Sequence, residues 1–315
     1  MISVNQLAAT LATEMVANAE RLGITCAELA CGARLIDVGL AAPGGLLAGL
    51  EAANISLGGM GQVQYQALDY GDFWLPGVVI SVDRPEIGCM ASQYAGWGIR
   101  KPGFFAIGSG PARARARLEP VFDQIDYHDD AEIAVLVLEG QNLPDNAMAE
   151  YIARKCRLDA ANLTLIVAPA ACQAGMVQLS ARAVATGMHK MYKLGFDVRK
   201  VLHGQGLCPV APPVPDEDLS SAHANDCVLY GARIQYTIAA DDAELADLID
   251  RIPSSASPDY GTPCAELFRR YGSFYEIDPL LFCPAEVTIN NAKSGRSFHA
   301  GRINPQVLRQ SLLAG

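Results

Sequence analysis

Short apolar runs alternate along this chain with longer stretches of helical periodicity, and this alternation limits the possible folds more than any other sequence feature. The apolar runs have the length and composition of buried β-strands. They are residues 78–82, 104–107, 133–138 and 163–168. Apolar residues recur at helical spacing in residues 145–157 and 174–194. Strands that alternate with helices are typical of α/β proteins, so we expect an α/β fold.

Further elements follow from local signals. Residues 228–238 have the pattern of a longer strand, and residues 243–252 have that of a helix. Near the N-terminus, Ser3 and Gln6 have the spacing of a capping box, which predicts a helix that ends at Gly23.

One proline-rich segment is the best candidate for a linker. Residues 208–215 read Cys-Pro-Val-Ala-Pro-Pro-Val-Pro, and proline there prevents both helical and ladder hydrogen bonds. We therefore expect two α/β domains with a deep ligand cleft between them. The expected domains are residues 1–207 and 208–315, and they can exchange segments.

Composition excludes several classes of protein. Half of the 315 residues are hydrophobic, and the net charge of −10 argues against a general nucleic-acid binder, which would need a basic face. No apolar run reaches the roughly 18–20 residues that span a membrane, and Glu14 and Glu20 interrupt the N-terminal pattern in a way unlike a signal peptide. We therefore expect a cytoplasmic protein in which the nine cysteines are free thiols. No Cys-x-x-Cys pair occurs, so we expect no metal site.

Two glycine-rich segments have different expected roles. The segment Gly108-Ser-Gly-Pro-Ala-Arg113 follows a predicted strand and opens a helix, so its amides, Ser109 and Arg113 could hold a phosphate or carboxylate. The same residues are equally compatible with a solvated basic helix face. The segment Leu57-Gly-Gly-Met-Gly61 lacks the dinucleotide-binding spacing and predicts a tight turn with positive φ.

A third group of candidates combines aromatic and polar side chains. Small residues around Gln93, Tyr94 and Trp97 would let a flat ring approach the backbone and stack, although aromatic residues are more often part of a core. Glu139 closes a predicted strand, where α/β sheets place ligands. Asn225 and Asp226 adjoin turn residues, and such residues are more often caps than ligands.

The helical segment 177–191 has two distinct faces. One face is apolar and consists of Val177, Ala181, Val184, Met188 and Met191. The neighbouring face carries Gln178, Arg182, Ala185 and His189. Arg182 is the strongest single candidate for a site residue, since a guanidinium on a helix rich in small residues points either to solvent or into a cleft.

Taken in order, several segments resemble the methenyltetrahydromethanopterin cyclohydrolases. They are Gly32-Ala-Arg-Leu-Ile-Asp-Val-Gly39, Leu57-Gly-Gly-Met-Gly61, Met90-Ala-Ser-Gln-Tyr-Ala-Gly-Trp97, Gly108-Ser-Gly-Pro-Ala-Arg-Ala114, Leu194-Gly-Phe-Asp197, Asn225-Asp226, Leu229-Tyr-Gly231, Asp259-Tyr-Gly261 and residues 274–285. The resemblance covers nearly the whole chain.

The resemblance implies a cytosolic enzyme of one-carbon metabolism that needs neither a metal nor a cofactor and forms a homotrimer. Its expected reaction is hydrolysis of the N5,N10-methenyltetrahydromethanopterin cation to N5-formyltetrahydromethanopterin. The expected substrate-binding residues are Gln93, Tyr94, Trp97, Ser109, Arg113, Glu139, Gln178, Asn225, Asp226 and Tyr260.

The resemblance also implies a catalytic Arg-x-x-Glu pair, and this chain departs from it. Arg182 matches the arginine, whereas Ala185 occupies the position of the glutamate. That glutamate would help to activate water, and the arginine would orient the ring system and oppose developing charge. A methyl group does neither, so we expect slow hydrolysis.

Three hypotheses remain open from the sequence. The chain is a cyclohydrolase that lacks its main base, a paralogue that binds the pterin without hydrolysing it, or an oxidoreductase that binds a phosphate-bearing ligand. The third requires stronger glycine motifs than this chain has. Pterin binding with negligible hydrolysis separates the first two from the third.

Overall fold

The computed structural model describes residues 2–272 and 276–313. Phe274, with which one of the resembling segments begins, lies outside the described residues. The chain divides into two compact units: unit 1 comprises Met1–Gly61 and Ile87–Gln178, and unit 2 comprises Gln62–Glu86 and Leu179–Gly315. No helix within the described ranges is long and apolar enough to cross a membrane.

The chain passes from one unit to the other at positions that lie outside the expected linker. Residues 208–215 lie within unit 2, where they run from the end of a strand towards the next helix. The domain boundary after residue 207 stays a prediction about which segments fold independently.

The strands are β1 Thr25–Glu28, β2 Arg34–Asp37, β3 Gly61–Asp69, β4 Trp74–Asp83, β5 Trp97–Lys101, β6 Phe104–Ser109, β7 Ala134–Gly140, β8 Leu163–Val167, β9 Val201–Pro209, β10 Arg233–Ile238, β11 Glu286–Asn291 and β12 Ser297–Gly301. The α-helices are α1 Val4–Ala17, α2 Ala19–Leu22, α3 Leu46–Ser56, α4 Ala112–Ala116, α5 Asn146–Lys155, α6 Gln173–Ser180, α7 Ala183–Lys193, α8 Glu217–Asp226, α9 Asp242–Ile249, α10 Cys264–Tyr271 and α11 Pro305–Leu313. Two π-helices span Glu86–Gln93 and Cys227–Gly231.

Unit 1 is built around a mixed sheet in the order β1-β2-β8-β7-β6-β5. The central strands β2, β8 and β7 run parallel, and their neighbours run antiparallel to them. Side chains of β7 alternate between two apolar layers: Val135 and Val137 pack with α1 and α3, while Leu136 and Leu138 pack with α5. Both faces of the sheet are therefore covered, as the apolar runs predict.

Unit 2 contains the second sheet, in the order β12-β11-β10-β9-β4-β3. Strands β10 and β11 run parallel, while β4 and β9, β9 and β10, and β11 and β12 pair antiparallel. Helix α7 packs on β9 and β10, and α9 packs on β11 and β12. Two α/β units confirm the expected fold class.

Most predicted elements are confirmed. The four short apolar runs lie in β4, β6, β7 and β8, and the patterns at residues 145–157 and 243–252 correspond to α5 and α9. Ser3 accepts a hydrogen bond from the Gln6 amide, as the capping-box spacing predicts. The N-terminal helix ends at Gly23, which has a φ of 64°, although Asn18 divides it into α1 and α2.

The strand predicted over residues 228–238 is wrong in its first half. Cys227–Gly231 is a π-helix, and the strand begins only at Arg233. Val228, Leu229 and Tyr230 are buried in this helix. An apolar run shows that a segment is buried, but it does not separate a strand from a tight helical turn.

The single helix predicted over residues 174–194 is two helices. Helix α6 ends at Ser180, α7 begins at Ala183, and the Arg182 amide donates to the Leu179 carbonyl in the tight turn between them. The apolar face stays in phase across this break. Its five members, Val177, Ala181, Val184, Met188 and Met191, are fully buried.

Candidate functional site

The first candidate group lies in unit 1, around the fully buried side chain of Arg113 in α4. Its Nε lies 3.0 Å from both carboxylate oxygens of Glu119, and its Nη2 also donates to that carboxylate. Its Nη1 donates to the carbonyls of Met90 and Ser92 at 3.0 and 2.8 Å. Its guanidinium carbon lies 5.2 Å from the centre of the Tyr94 ring. The arginine thus holds the π-helix Glu86–Gln93 against α4.

Backbone features hold the same cluster together. The Gly110 amide, at a φ of 103°, donates to the Ser92 carbonyl at 2.8 Å. At Gly96, any Cβ would collide with the Glu119 carboxylate, so only glycine fits there without a shift. The strand-to-helix turn at residues 108–113 is confirmed, and Gly58 and Gly59 have the positive φ predicted for their turn.

This geometry assigns a structural role to Arg113. Its charge is opposed by Glu119 inside unit 1, and no part of its side chain is exposed. Helix α4 has only 5 residues, so its dipole adds little at the turn. The anion site expected at Ser109 and Arg113 stays a prediction.

Asp37 forms a second buried anchor in unit 1, at the end of β2. Its carboxylate accepts four backbone amides, from Gly39 and Leu40 at one oxygen and Ala41 and Ala42 at the other, over 2.7–2.9 Å. Burial alone would raise the pKa of this carboxyl, but the four amides outweigh it and lower the pKa. Asp37 is therefore an ionised loop anchor.

The second candidate group lies in unit 2, in the first turn of α7. Arg182 is the N-cap residue of this 11-residue helix, with φ −77° and ψ −2°, and its carbonyl accepts from the Thr186 amide at 2.9 Å. Its side chain is 7% exposed. Ala185 is the third residue of the helix and is 1% exposed. The two expected catalytic positions therefore lie one turn apart at the N-terminus of a helix.

The other end of α7 is also anchored. Lys190 is buried and donates from Nζ to the Leu280 carbonyl. Burial raises the pKa of the nearby Cys283 thiol to about 12, and the positive charge of Lys190 opposes that increase. The thiol therefore stays protonated at neutral pH.

Asp226 and Tyr260 lie in a third group, also in unit 2. Asp226 is fully buried at the end of α8, and it accepts from the Cys264 amide at 3.0 Å and from the Ser311 hydroxyl at 2.5 Å. Burial raises the pKa of Asp226 to about 6, against the effect of these bonds. The group therefore joins α8, α10 and α11, while the Tyr260 ring packs against Tyr230 with centroids 5.4 Å apart.

The remaining expected residues are distributed over both units. Gln93, Trp97, Ser109 and Gln178 are buried in unit 1, whereas Tyr94 and Glu139 are partly exposed there. Asn225 in unit 2 is partly exposed and donates from Nδ2 to the Ser221 carbonyl at 2.8 Å. Within residues 2–272 and 276–313, no three His, Cys, Asp or Glu side chains are arranged to hold a metal ion.

Comparison with known proteins decides the family. A family model described as "Cyclohydrolase (MCH)" matches residues 3–312. The chain belongs to this family. The methenyltetrahydromethanopterin cyclohydrolase of Methanococcoides burtonii is 40% identical to it over 99% of this chain and 98% of the relative. Those of Methylobacillus flagellatus and Methanocaldococcus jannaschii are each 39% identical, over 98% and 99% of this chain and 95% and 98% of the relatives.

Two residues of this cyclohydrolase-family chain that shape the candidate groups were not predicted. Glu119 lies six positions after Arg113, a spacing with no helical or strand periodicity, and no sequence signal links the two. Tyr236 lies in the apolar pattern of β10 and has the appearance of a core residue. Its special environment is marked by Gly204, which pairs with it in β9, and by Gly187 in α7, where a Cβ would meet its hydroxyl.

Proposed function

We propose that this chain acts on the N5,N10-methenyltetrahydromethanopterin cation and hydrolyses it slowly to N5-formyltetrahydromethanopterin. The observation that carries the proposal is the family match over residues 3–312, with relatives named for this activity at about 40% identity across nearly their full length. The turn at Arg182 and Ala185 also supports the proposal. Both expected catalytic positions lie in one buried turn at the start of α7, where they are close enough to act on the same substrate.

The chemistry needs positioned groups more than it needs a strong nucleophile. The bridging carbon of the methenyl cation is already electrophilic, so water adds to it and loses one proton. The hydroxyl that results then loses its own proton as its oxygen forms the carbonyl, the bond from that carbon to N10 breaks, and N10 takes up a proton. The formyl group stays on N5, and the net release is one proton. A base that receives the first proton accelerates the addition.

Arg182 and position 185 have distinct proposed roles. The Arg182 guanidinium orients the ring system through planar hydrogen bonds. A carboxylate at position 185 would be in the first turn of α7, where the helix dipole and Arg182 both favour its ionised form, although burial opposes it. Ala185 supplies no base, so we expect binding to survive and proton transfer to be slow.

We further propose that partly exposed candidates contact the pterin. They are Tyr94, Glu139, Asn225 and Tyr260. Trp97 and Tyr94 would contribute ring stacking, while Gln93 and Gln178 would contribute amide hydrogen bonds. We also propose that the protein is a cytoplasmic homotrimer, which light scattering tests as a mass of three 33.5 kDa chains.

The absence of a base at position 185 also favours a second candidate, a paralogue that binds the methenyl pterin without a catalytic function. Both candidates predict saturable binding, observed by titrating the methenyl absorbance against the protein. Arg182→Met should weaken that binding, and Arg154→Met, a change at an exposed residue of unit 1, should not. Absence of saturable binding to the unmodified chain would refute both candidates.

A further inference from the structure

Tyr236 contacts the backbone of the candidate catalytic turn. It lies in β10 and is fully buried, and its hydroxyl donates to the Val184 carbonyl at 2.7 Å. Val184 lies in α7 between Arg182 and Ala185. A carbonyl oxygen has two lone pairs, so it can accept this bond in addition to a helical one. The bond joins the first turn of α7 to the sheet of unit 2.

Three glycines leave the space in which this contact forms. A Cβ at Gly187, one turn along α7, would collide with the Tyr236 hydroxyl. Gly204 and Gly206 in β9 pair with Tyr236 and Ile234, and a Cβ at either would approach the Val184 side chain to 2.7 or 3.1 Å. Val184 therefore rests directly on the backbone of β9.

This docking sets the rotation of α7 about its axis. Successive helical residues are separated by about 100° around the helix axis, so the side chains at positions 182 and 185 point about 160° and about 100° away from that of Val184. If the contact at Val184 shifts, both side chains move together. A displacement of about 1 Å at reacting groups can change a rate by about 100-fold.

We infer that Tyr236 is a positioning residue for the reaction, whose hydroxyl holds the first turn of α7 so that Arg182 and position 185 are correctly oriented. The inference rests on the proposed function. Tyr236 acts through the Val184 carbonyl and not by contact with the substrate.

The first test is Tyr236→Phe, measured in the unmodified chain or in Ala185→Glu, whichever turns over the methenyl pterin measurably. The matched control is Tyr70→Phe, because the buried Tyr70 in the same unit also donates its hydroxyl to a backbone carbonyl, that of Gly231 at 3.2 Å. We expect Tyr236→Phe to lower kcat about 10-fold with KM changed less than about threefold, and Tyr70→Phe to leave both unchanged.

A second test uses the collision at Gly187. Gly187→Ala should lower kcat, and the double variant Gly187→Ala with Tyr236→Phe should lower it by less than the two single effects combined, because the phenylalanine removes the colliding oxygen.

The outcomes separate the two claims. An unchanged kcat in Tyr236→Phe, in a chain that does hydrolyse the pterin, would overturn the positioning role alone. Equal losses in Tyr236→Phe and Tyr70→Phe would also overturn it, since they would indicate a general loss of packing. If neither the unmodified chain nor Ala185→Glu hydrolyses the pterin, the proposed function and the role of Tyr236 fail together.

Discussion

Asp37 in unit 1 and Asp226 in unit 2 are both almost completely buried, but their protonation equilibria shift in opposite directions. Asp37 accepts four backbone amides, which lower its pKa although burial opposes them. Asp226 accepts from the amide and the thiol of Cys264 and from the Ser311 hydroxyl, but burial outweighs these bonds and raises its pKa to about 6. The balance between desolvation and the hydrogen bonds that a buried carboxylate accepts sets the direction of its pKa shift: four backbone amides prevail at Asp37, and desolvation prevails at Asp226.

Arg113 extends the comparison to a buried cation. Glu119 and two carbonyls oppose and solvate its charge. Asp37, Asp226 and Arg113 therefore act mainly inside their own units. Asp37 anchors a loop, Asp226 joins the ends of helices, and Arg113 holds a π-helix. The turn that carries Arg182 and Ala185 is left as the candidate for chemistry.

Removing Arg113 should have the largest effect on stability. Arg113→Met leaves Glu119 and two carbonyls without their buried partner, so we expect the free energy of unfolding to fall by about 3–5 kcal/mol. Arg154→Met is the control, because Arg154 pairs with Glu150 at an exposed site where the expected loss is below about 1 kcal/mol. Denaturant unfolding measures both. A stable Arg113→Met protein that binds phosphate less tightly would instead support the anion site.

Asp226→Asn should change how stability depends on pH. The folded state holds the Asp226 proton more tightly than the unfolded state does. The stabilisation from this group is therefore complete below about pH 4 and is lost as the pH rises through about 6. As the pH rises from 4 to 7.5, we expect the free energy of unfolding of Asp226→Asn to increase by on the order of 3 kcal/mol relative to that of the parent.

The control for that experiment is Asp247→Asn, since the Asp247 side chain is 80% exposed. Its stability relative to the parent should be the same at both pH values. If Asp226→Asn behaves like this control, the buried carboxyl is already ionised at low pH and the contrast with Asp37 is wrong.

Asp37→Asn should have a smaller effect of the opposite sign. The stability from the depressed pKa of Asp37 is present above about pH 4 and is lost as the pH falls below it. At neutral pH we expect Asp37→Asn to lower the free energy of unfolding by about 2 kcal/mol, because its NH2 group faces amides that need an acceptor. Denaturant unfolding at pH 7.5 and pH 3.5 should show this difference shrinking with acid, and a constant difference would contradict it.

The fold was largely predictable because burial leaves a clear pattern. Strand β7 is covered on both faces, and its residues 134–138 are continuously apolar. The same criterion misassigned residues 228–231, since a buried π-helix has an equally apolar sequence. The break between α6 and α7 was also hidden, because the apolar face stays in phase through Arg182.

The candidate site was predictable only in part. Periodicity placed Arg182 and Ala185 on one face, and the structure keeps them one turn apart at the start of α7. Contacts between distant segments leave no local pattern. Periodicity thus missed Glu119 beside Arg113 and Tyr236 beside Val184, and it did not distinguish the buried Asp226 from an exposed ligand.

The most direct test of the central claim is the decay of methenyl absorbance in the unmodified chain, in Ala185→Glu and in Ala185→Gln. The glutamine variant has the shape of the glutamate but no basic carboxylate. A general base typically accelerates a reaction by about 10²–10⁴-fold, so we expect Ala185→Glu to hydrolyse the methenyl pterin faster than the unmodified chain by that factor. The hydrolysis rate of Ala185→Gln should stay close to that of the unmodified chain. Brisk hydrolysis by the unmodified chain, unchanged in Ala185→Glu, would place the base elsewhere and contradict the account.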